Sequence, residues 1–502
     1  MAAGAVPGPG LHMSAKVICS NDLELRRTAI MTDGNATGTD AAEFPSGDPG
    51  TSLLHPGVSK FGGTSLATGQ RMLHAARLVA SQVDGSGVVV VSAMSGVTNR
   101  LEELARVDDP DVRREILDEL GRVHLEGGRQ IMGDAFRGSD LSKALERRLQ
   151  TLEDVPTDLP LPRRRDRIVS AGEDLSALLV TRALIEVGLP AIHIDARRVV
   201  RTDERFGQAI PDDDETLRLA RSLLLPLLKE GRVPVLQGFL GATDSGETTT
   251  LGRGGSDFTA AILGAALGAR EVTIWTDVDG IFTADPRLVP EARVLEEMGY
   301  EEAVELAWFG ARVIHPAAAK HAVGRRVSLR VRNSLRPEAP GTLIRTDRRG
   351  SAGVAALAFR PRVSLITVRS RPLFMAWGFL ARVFDVLARS EIAVDLVATS
   401  HTSTAFTVAD GAPLDRVRRE LETFSEVEVE TGLGTVTAVG AGLRSRPGLA
   451  ARLLMALDDI PVRLVSQATD AALSLVLESG DGAEVLKRLH RELGTTDTPS
   501  PH

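Results

Sequence analysis

Arg253 stands in Thr248-Thr-Thr-Leu-Gly-Arg-Gly-Gly-Ser-Asp257, with glycines on both sides and an Ala-rich stretch after it. A guanidinium offers a planar fork of donors that matches a carboxylate, and glycines let the backbone carrying it come close to a ligand. Ser256 or Asp257 can cap the helix that follows. A second candidate is Val58-Ser-Lys-Phe-Gly-Gly-Thr-Ser65. Lys60 falls at the end of a strand, Gly62 and Gly63 form the turn, and Thr64 and Ser65 open the next helix. Helix starts carry unpaired N–H groups, so this arrangement suits a phosphate, although a plain strand-to-helix turn gives the same pattern.

Three further segments add polar groups. Glu173, in Ala171-Gly-Glu-Asp-Leu-Ser176, lies at a helix start, where a carboxylate ordinarily only compensates the helix dipole. Facing the same pocket as Arg253, it would instead pair with the ammonium of an α-amino acid whose carboxylate Arg253 holds. Thr98 belongs to Ser92-Ala-Met-Ser-Gly-Val-Thr-Asn99, at the C-terminal end of an all-valine strand, where open α/β sheets hold ligands. The run Trp275-Thr-Asp-Val-Asp-Gly-Ile-Phe-Thr-Ala-Asp-Pro-Arg287, with Phe309-Gly-Ala-Arg-Val-Ile-His-Pro316 beyond it, suits ribose and phosphate contacts. A polar turn with self-capping aspartates is the plain alternative.

Alternating elements must position these groups. Short β-rich runs occur at 88–91, 192–194, 233–236, 272–275 and 327–331. Helical spacing lies between them at 66–81, 176–187, 214–230 and 258–267. Such alternation predicts an α/β domain with a largely parallel, helix-covered sheet. Residues 100–165, dense in Glu, Arg and Leu, read as a helical excursion from it. Beyond about 354 the character changes. Strand, Gly378-led helix, then strands at 392–397 and 404–408 are echoed by 435–439, a Gly448-led helix, and strands at 460–465 and 473–477. Two copies of one small α+β unit predict a separate regulatory region. Residues 1–56, rich in small and polar residues without periodicity, read as a disordered tail.

The net charge of -8 gives nucleic-acid binding no electrostatic support. A single cysteine, Cys19, excludes an intrachain disulfide and multi-cysteine metal sites, and fits a reducing compartment. There is no apolar run of membrane-spanning length and no signal-peptide pattern, so the expected location is cytoplasmic. The P-loop and protein-kinase loop motifs are both missing.

In this order, Lys60-Phe-Gly-Gly-Thr-Ser, Thr249-Thr-Leu-Gly-Arg-Gly-Gly-Ser-Asp, Trp275-Thr-Asp-Val-Asp-Gly-Ile and Asp285-Pro-Arg resemble the aspartate kinases of the amino-acid kinase superfamily. The likeness extends over about 58–493 and is nearest to the monofunctional, lysine-sensitive type. It implies a doubly wound α/β kinase domain at 57–350 with a largely parallel sheet. Two α+β ACT domains would follow at 363–430 and 431–495, one completed by a strand from 354–361. It implies phosphorylation of the L-aspartate side-chain carboxylate, with ATP and Mg²⁺, as the first step towards lysine, threonine and methionine.

By the same resemblance, Lys60 and Asp257 would be catalytic. Thr98, Glu173, Phe239, Arg253 and Ser256 would take aspartate. Gly62, Gly63, Thr64, Ser65, Thr276, Asp277, Phe282, Arg287, Arg312 and Val313 would take the nucleotide. Phe282 and Arg312 depart from the Tyr and Lys common in the family. Leu373, Phe379, Leu380, Val394, Asp395 and Ser400 would surround a feedback amino acid, lysine first and threonine second. Met375, Ala376, Trp377 and His401 depart from that pattern. A homodimer or larger assembly through the ACT domains is implied. Other kinases of the superfamily and a catalytically dead amino-acid sensor are the rival readings.

Overall fold

The computed structural model describes residues 56–82, 87–310, 327–346, 353–371, 378–457 and 459–493. The expected tail, except Pro56, lies outside these residues, as do Arg312, Val313 and Leu373.

Among the described residues, the N-terminal part contains the strands β1 (Gly57–Phe61), β2 (Gly87–Val91), β3 (Ala191–His193), β4 (Val233–Gln237), β5 (Leu240–Ala242), β6 (Thr248–Thr250), β7 (Glu271–Thr276), β8 (Glu297–Gly299), β9 (Ser328–Asn333) and β10 (Thr342–Arg345). Eight of them form one sheet in the order β3-β4-β2-β1-β7-β9-β10-β8. The first six in that order run parallel, and β10 lies antiparallel to β9. β5 and β6 form a separate antiparallel pair. The predicted largely parallel sheet is therefore present.

The valine run of β2 shows why both faces are covered. Val88 and Val90 enter one core with α7 (Asp213–Lys229) and α8 (Gly255–Leu267). Val89 and Val91 enter the other, with α1 (Gly69–Gln82) and α6 (Ala171–Glu186). Adjacent strand residues point to opposite faces, so a strand buried on both sides is apolar throughout. The expected excursion consists of α2 (Val97–Arg106), α3 (Pro110–Met132), α4 (Asp140–Glu153) and α5 (Leu161–Val169). Asp109 caps α3 by accepting from the Asp111 and Val112 N–H groups, and Pro110 supplies a preset first residue.

Two helix starts differ from expectation, and both bear on the site. Helical hydrogen bonding passes through Ser170 from α5 into α6, so α6 starts at Ala171 and Glu173 falls in its buried first turn. α8 starts at Gly255, after Gly254 in the left-handed region at φ 70°, and no side chain caps it. Neither Ser256 nor Asp257 forms the expected cap; both lie inside the first turn, and Asp257 is drawn to Lys60 instead.

The C-terminal part is one six-stranded sheet, built on β11 (Gly353–Ser370) and β14 (Ser425–Ala441). These pair antiparallel over their length, with register irregularities around Pro361 and Val363. The first half of β11, the segment expected as a contributed strand, pairs with the second half of β14. β12 (Val397–Thr399) and β13 (Ser403–Ala409) extend one side, and β16 (Ala472–Glu478) and β15 (Leu464–Ser466) the other. Two cores result: one under helices Phe379–Arg389 and Leu414–Leu421, the other under Leu449–Met455 and Gly482–Glu492. Gly378 and Gly448 precede equivalent helices at φ 93° and 77°, where a side chain would be strained. β12 is shorter than the expected 392–397 strand. There the Leu396 N–H is taken by the Thr407 hydroxyl rather than by a backbone carbonyl.

Candidate active site

The C-terminal ends of β1, β2 and β4 and the starts of α2, α6 and α8 enclose a cavity of about 990 Å³. It is lined by Lys60, Thr98, Glu173, Phe239, Arg253, Ser256 and Asp257, the whole expected substrate-binding and catalytic set. Close backbone approach makes this convergence possible. A Cβ on Gly63 would lie 2.8 Å from the Ala93 carbonyl oxygen, and one on Gly238 only 2.5 Å from the Ser256 Cβ. Phe239 is held at φ 70°, an uncommon conformation for a bulky residue.

The charges in this cavity differ in what they already hold. Lys60 Nζ lies 2.6 Å from Asp257 Oδ1, with both side chains about nine-tenths buried. Glu173 Oε1 accepts the Ala93 N–H at 3.1 Å, whereas its Oε2 is buried without a hydrogen-bond partner among the described residues. Burial pushes the Glu173 carboxyl up to about 8. A buried carboxylate oxygen without a partner costs free energy unless a ligand supplies a donor or cation. Arg253 is exposed on its loop, and no described residue pairs with it. The cavity thus offers one anion-seeking fork and one cation-seeking carboxyl, the complement of a free α-amino acid.

Sequence reasoning missed Glu102, Arg106 and Arg165, which also line the cavity. Glu102 is held by Arg165, whose Nε donates to its Oε2 at 2.9 Å. The available signal was spacing: Thr98, Glu102 and Arg106 recur every four residues and share one face of α2.

The expected nucleotide residues that the structure describes do not line this cavity. Gly62 donates its N–H to the Trp275 carbonyl at 3.1 Å, tying the end of β1 to β7 beside Thr276 and Asp277. Arg71 Nη1 donates to the Thr64 carbonyl, and Ser65 is buried against the Ser334 hydroxyl at 2.7 Å. Phe282 bridges to Val294. Arg287 folds back onto Asp285, with Nη2 2.6 Å from Oδ2, and holds that carboxyl below its usual range.

A model of the amino acid kinase family matches residues 57–333, and an ACT domain model matches 436–493. The chain belongs to the amino acid kinase family, among the aspartokinases. The lysine-sensitive aspartokinase 3 of Escherichia coli (strain K12) is 38% identical over 445 residues, spanning 87% of this chain and 98% of that protein. An aspartate kinase of Pseudomonas putida is 34% identical, over 86% and 96% respectively. Among solved structures, E. coli aspartokinase III in complex with aspartate and ADP matches with a TM-score of 0.78. It is 37% identical and covers 88% of this chain and 100% of that one.

In this aspartokinase the described members of the expected regulatory set make different contacts. Phe379 packs edge-on to Phe424, while Leu380 is exposed. Val394 borders the same core as Phe379. Ser400 closes its own turn with Ser403, its hydroxyl accepting the Ser403 N–H at 3.1 Å. Asp395 faces elsewhere, pairing with Arg360 at 2.9 Å in a cleft of about 310 Å³ beside Glu305 and Trp308. Trp308 ends helix α9 (Tyr300–Trp308).

Proposed function

We propose that the chain transfers the γ-phosphoryl group of ATP to the β-carboxylate of L-aspartate, giving 4-phospho-L-aspartate and ADP. Glu173 Oε2 and Arg253, both without a partner among the described residues and lining the same cavity, carry this reading. In it Arg253 holds the α-carboxylate and Glu173 the α-ammonium. Thr98, Phe239 and Ser256 bound the space left for the side chain. The ammonium supplies the cation that stabilises ionised Glu173.

A side-chain carboxylate with a reference pKa of about 3.9 is already ionised at neutral pH, so no general base is needed. The obstacle is repulsion between that anion and the triphosphate. Lys60 lies where its ammonium can offset developing charge on the transferred group, and Asp257 sets its position. Gly63 and Thr64 would offer backbone N–H groups to the phosphates, while Gly62 and Ser65, whose own N–H groups go to the Trp275 and Gly62 carbonyls, shape the turn that presents them. Thr276, Asp277, Phe282, Arg287, Arg312 and Val313 complete the nucleotide side. No group of three or more His, Cys, Asp or Glu residues among the described residues forms a metal site. Mg²⁺ is commonly carried by phosphates plus one or two carboxylates, and Asp257, the acid beside Lys60, would be the side chain offered to it. Bound there, it would neutralise phosphate charge.

Domain limits of 57–350, 363–430 and 431–495, with 354–361 contributed to the last, fit the two cores of the C-terminal sheet. Those two units would bind a feedback amino acid, lysine before threonine, and pair subunits in a homodimer or larger assembly. A ligand ammonium reaching Asp395 must first displace Arg360. A cytoplasmic location and a place at the head of lysine, threonine and methionine synthesis complete the reading. No described helix is long and apolar enough to cross a membrane.

The direct test is hydroxamate trapping of the acyl phosphate across aspartate, glutamate and acetylglutamate, repeated with lysine, threonine and methionine added. Trapped product with glutamate or acetylglutamate but not aspartate would overturn the assignment.

A further inference from the structure

Next to Glu173 in the first turn of α6, Asp174 lines a different cleft, with Arg148, Arg197 and Gln237. Its Oδ2 accepts from Arg148 Nε at 2.9 Å and Arg197 Nη2 at 3.0 Å. Its Oδ1 accepts from Arg197 Nη1 at 2.9 Å and Gln237 Nε2 at 2.8 Å. The side chain is 10% exposed, and the hydrogen bonds to its carboxylate come from other elements: α4, the turn Ala196–Arg198 and the end of β4.

The same partners run on towards the cavity. Gln237, the last residue of β4, accepts the Ala196 N–H on its Oε1 at 2.9 Å. Two residues later comes Phe239, fixed at φ 70°, its N–H donated to the Thr259 hydroxyl of α8 at 3.1 Å. Arg197 Nε donates to the Thr248 hydroxyl at 2.9 Å, at the start of the strand leading into the Arg253 loop. One carboxylate therefore joins the backbones that carry Glu173, Phe239 and Arg253.

We propose that Asp174 is a positioning residue for the acceptor amino acid, setting the distance between the ammonium-binding Glu173 and the Phe239 and Arg253 loops. This rests on the acceptor site proposed above. Burial acts to raise the Asp174 carboxyl, but Arg197 and Arg148 outweigh it and hold the group below its usual range, so it stays ionised. A knot that only stabilised the fold would affect both substrates alike; one that spaces the acceptor groups affects aspartate alone.

The test is steady-state kinetics of Asp174→Asn with both substrates varied, beside the wild type. Expected is a rise of about tenfold in the aspartate KM, with kcat and the ATP KM changed less than about twofold. A second signature is the pH profile. Glu173 faces the Ala93 N–H, Lys60, Asp257 and Arg253 on the cavity side, and Asp174 and Arg197 behind. Removing the Asp174 charge takes a negative neighbour from Glu173 and leaves Arg197 with Asp195 as its remaining carboxylate, so the limb of kcat/KM that follows Glu173 ionisation moves to lower pH. A folded variant with an unchanged aspartate KM, an unmoved limb, or an equal rise in both KM values overturns the proposal. If Asp174→Asn does not fold, Arg148→Met carries the test, since that side chain is 22% exposed and only one partner is lost. Its aspartate KM should rise about threefold, with the same split between substrates. A wild type that makes no acyl phosphate from aspartate overturns the acceptor reading itself, and this inference with it.

Discussion

The acceptor cavity and the cleft beside Asp395 each hold a largely buried carboxyl group, Glu173 and Asp395, and treat it in opposite ways. In the cavity, Glu173 Oε2 has no partner and Arg253 has none among the described residues. In the cleft, Asp395 is paired with Arg360, and Glu305 accepts the Thr469 hydroxyl at 3.0 Å. A ligand entering the cavity relieves groups already desolvated. A ligand entering the cleft must break an existing ion pair before it gains one. The first arrangement suits a substrate bound in every turnover; the second suits an effector that acts only when it is abundant. The proposed role of Lys60 fits its pairing with Asp257: a cation needed mainly in the transition state would be held in place without being committed to ground-state binding.

Removing that cation should give the largest effect. Lys60→Met is expected to lower kcat by about two or more orders of magnitude, or about 2.7 kcal/mol and above, with a much smaller change in ATP affinity. Steady-state kinetics with a separate nucleotide-binding titration checks this. Near-normal turnover would remove Lys60 from the reacting centre.

Arg253→Ala addresses the ligand-free side of the contrast. It should lower kcat/KM for aspartate by about 1.5–3 kcal/mol, the range for a charge-assisted hydrogen bond, mainly through KM. Because the side chain is exposed and no described residue pairs with it, the melting temperature should not change. Unaltered aspartate kinetics would mean that the loop does not hold the substrate carboxylate.

The regulatory side breaks in a different direction. Arg360→Met leaves Asp395 buried without its cation, so an incoming ammonium no longer has a competitor. The lysine concentration giving half inhibition should fall by roughly tenfold, about the worth of one charge-assisted hydrogen bond. Asp395→Ala should abolish inhibition instead. Calorimetric titration with lysine and then threonine separates these outcomes. Full wild-type activity in lysine and in threonine, with no heat of binding, would leave the C-terminal sheet with a pairing role alone, and an equal inhibition in all three proteins would place the effector away from Asp395.

Much of this was legible because it rests on local rules. The all-valine β2 required burial on both faces, and Gly378 and Gly448 marked two equivalent helix starts. Glycines around Lys60 and Arg253 marked the loops that converge. What the sequence hid were contacts made across elements. Glu102 and Arg165 look like solvated helix charges until α2 and α5 pack together and turn them to the cavity. Asp174 resembles a dipole-compensating carboxylate, as its neighbour does, and only the fold brings Arg148, Arg197 and Gln237 to it. The helix holding Glu173 began earlier than expected because α5 runs into α6 without a break. β11 read as separate strands because Pro361 interrupts the pattern, although the sheet absorbs it as an irregularity.

Glu173 allows the smallest and most pointed test of the contrast, through stability rather than turnover. Burial raises its carboxyl to about 8 in the folded protein, whereas in the unfolded chain it titrates in the ordinary carboxylate range. Between those two values the folded state holds a proton that the unfolded state has lost. Stability therefore falls as pH rises through that window and levels off above about 8. Glu173→Gln keeps the shape and removes the titration. Without ligand, the variant should melt about 1–3 °C above the wild type at pH 8.5, and at the same temperature at pH 5. Saturating aspartate should reverse the order at pH 8.5, because only the wild type gains an ion pair with the substrate ammonium. Differential scanning calorimetry at both pH values, with and without aspartate, reads all four conditions. If the two proteins melt together in every one, Glu173 is not a buried carboxyl kept unpaired for a ligand, and the distinction between cavity and cleft loses its main support.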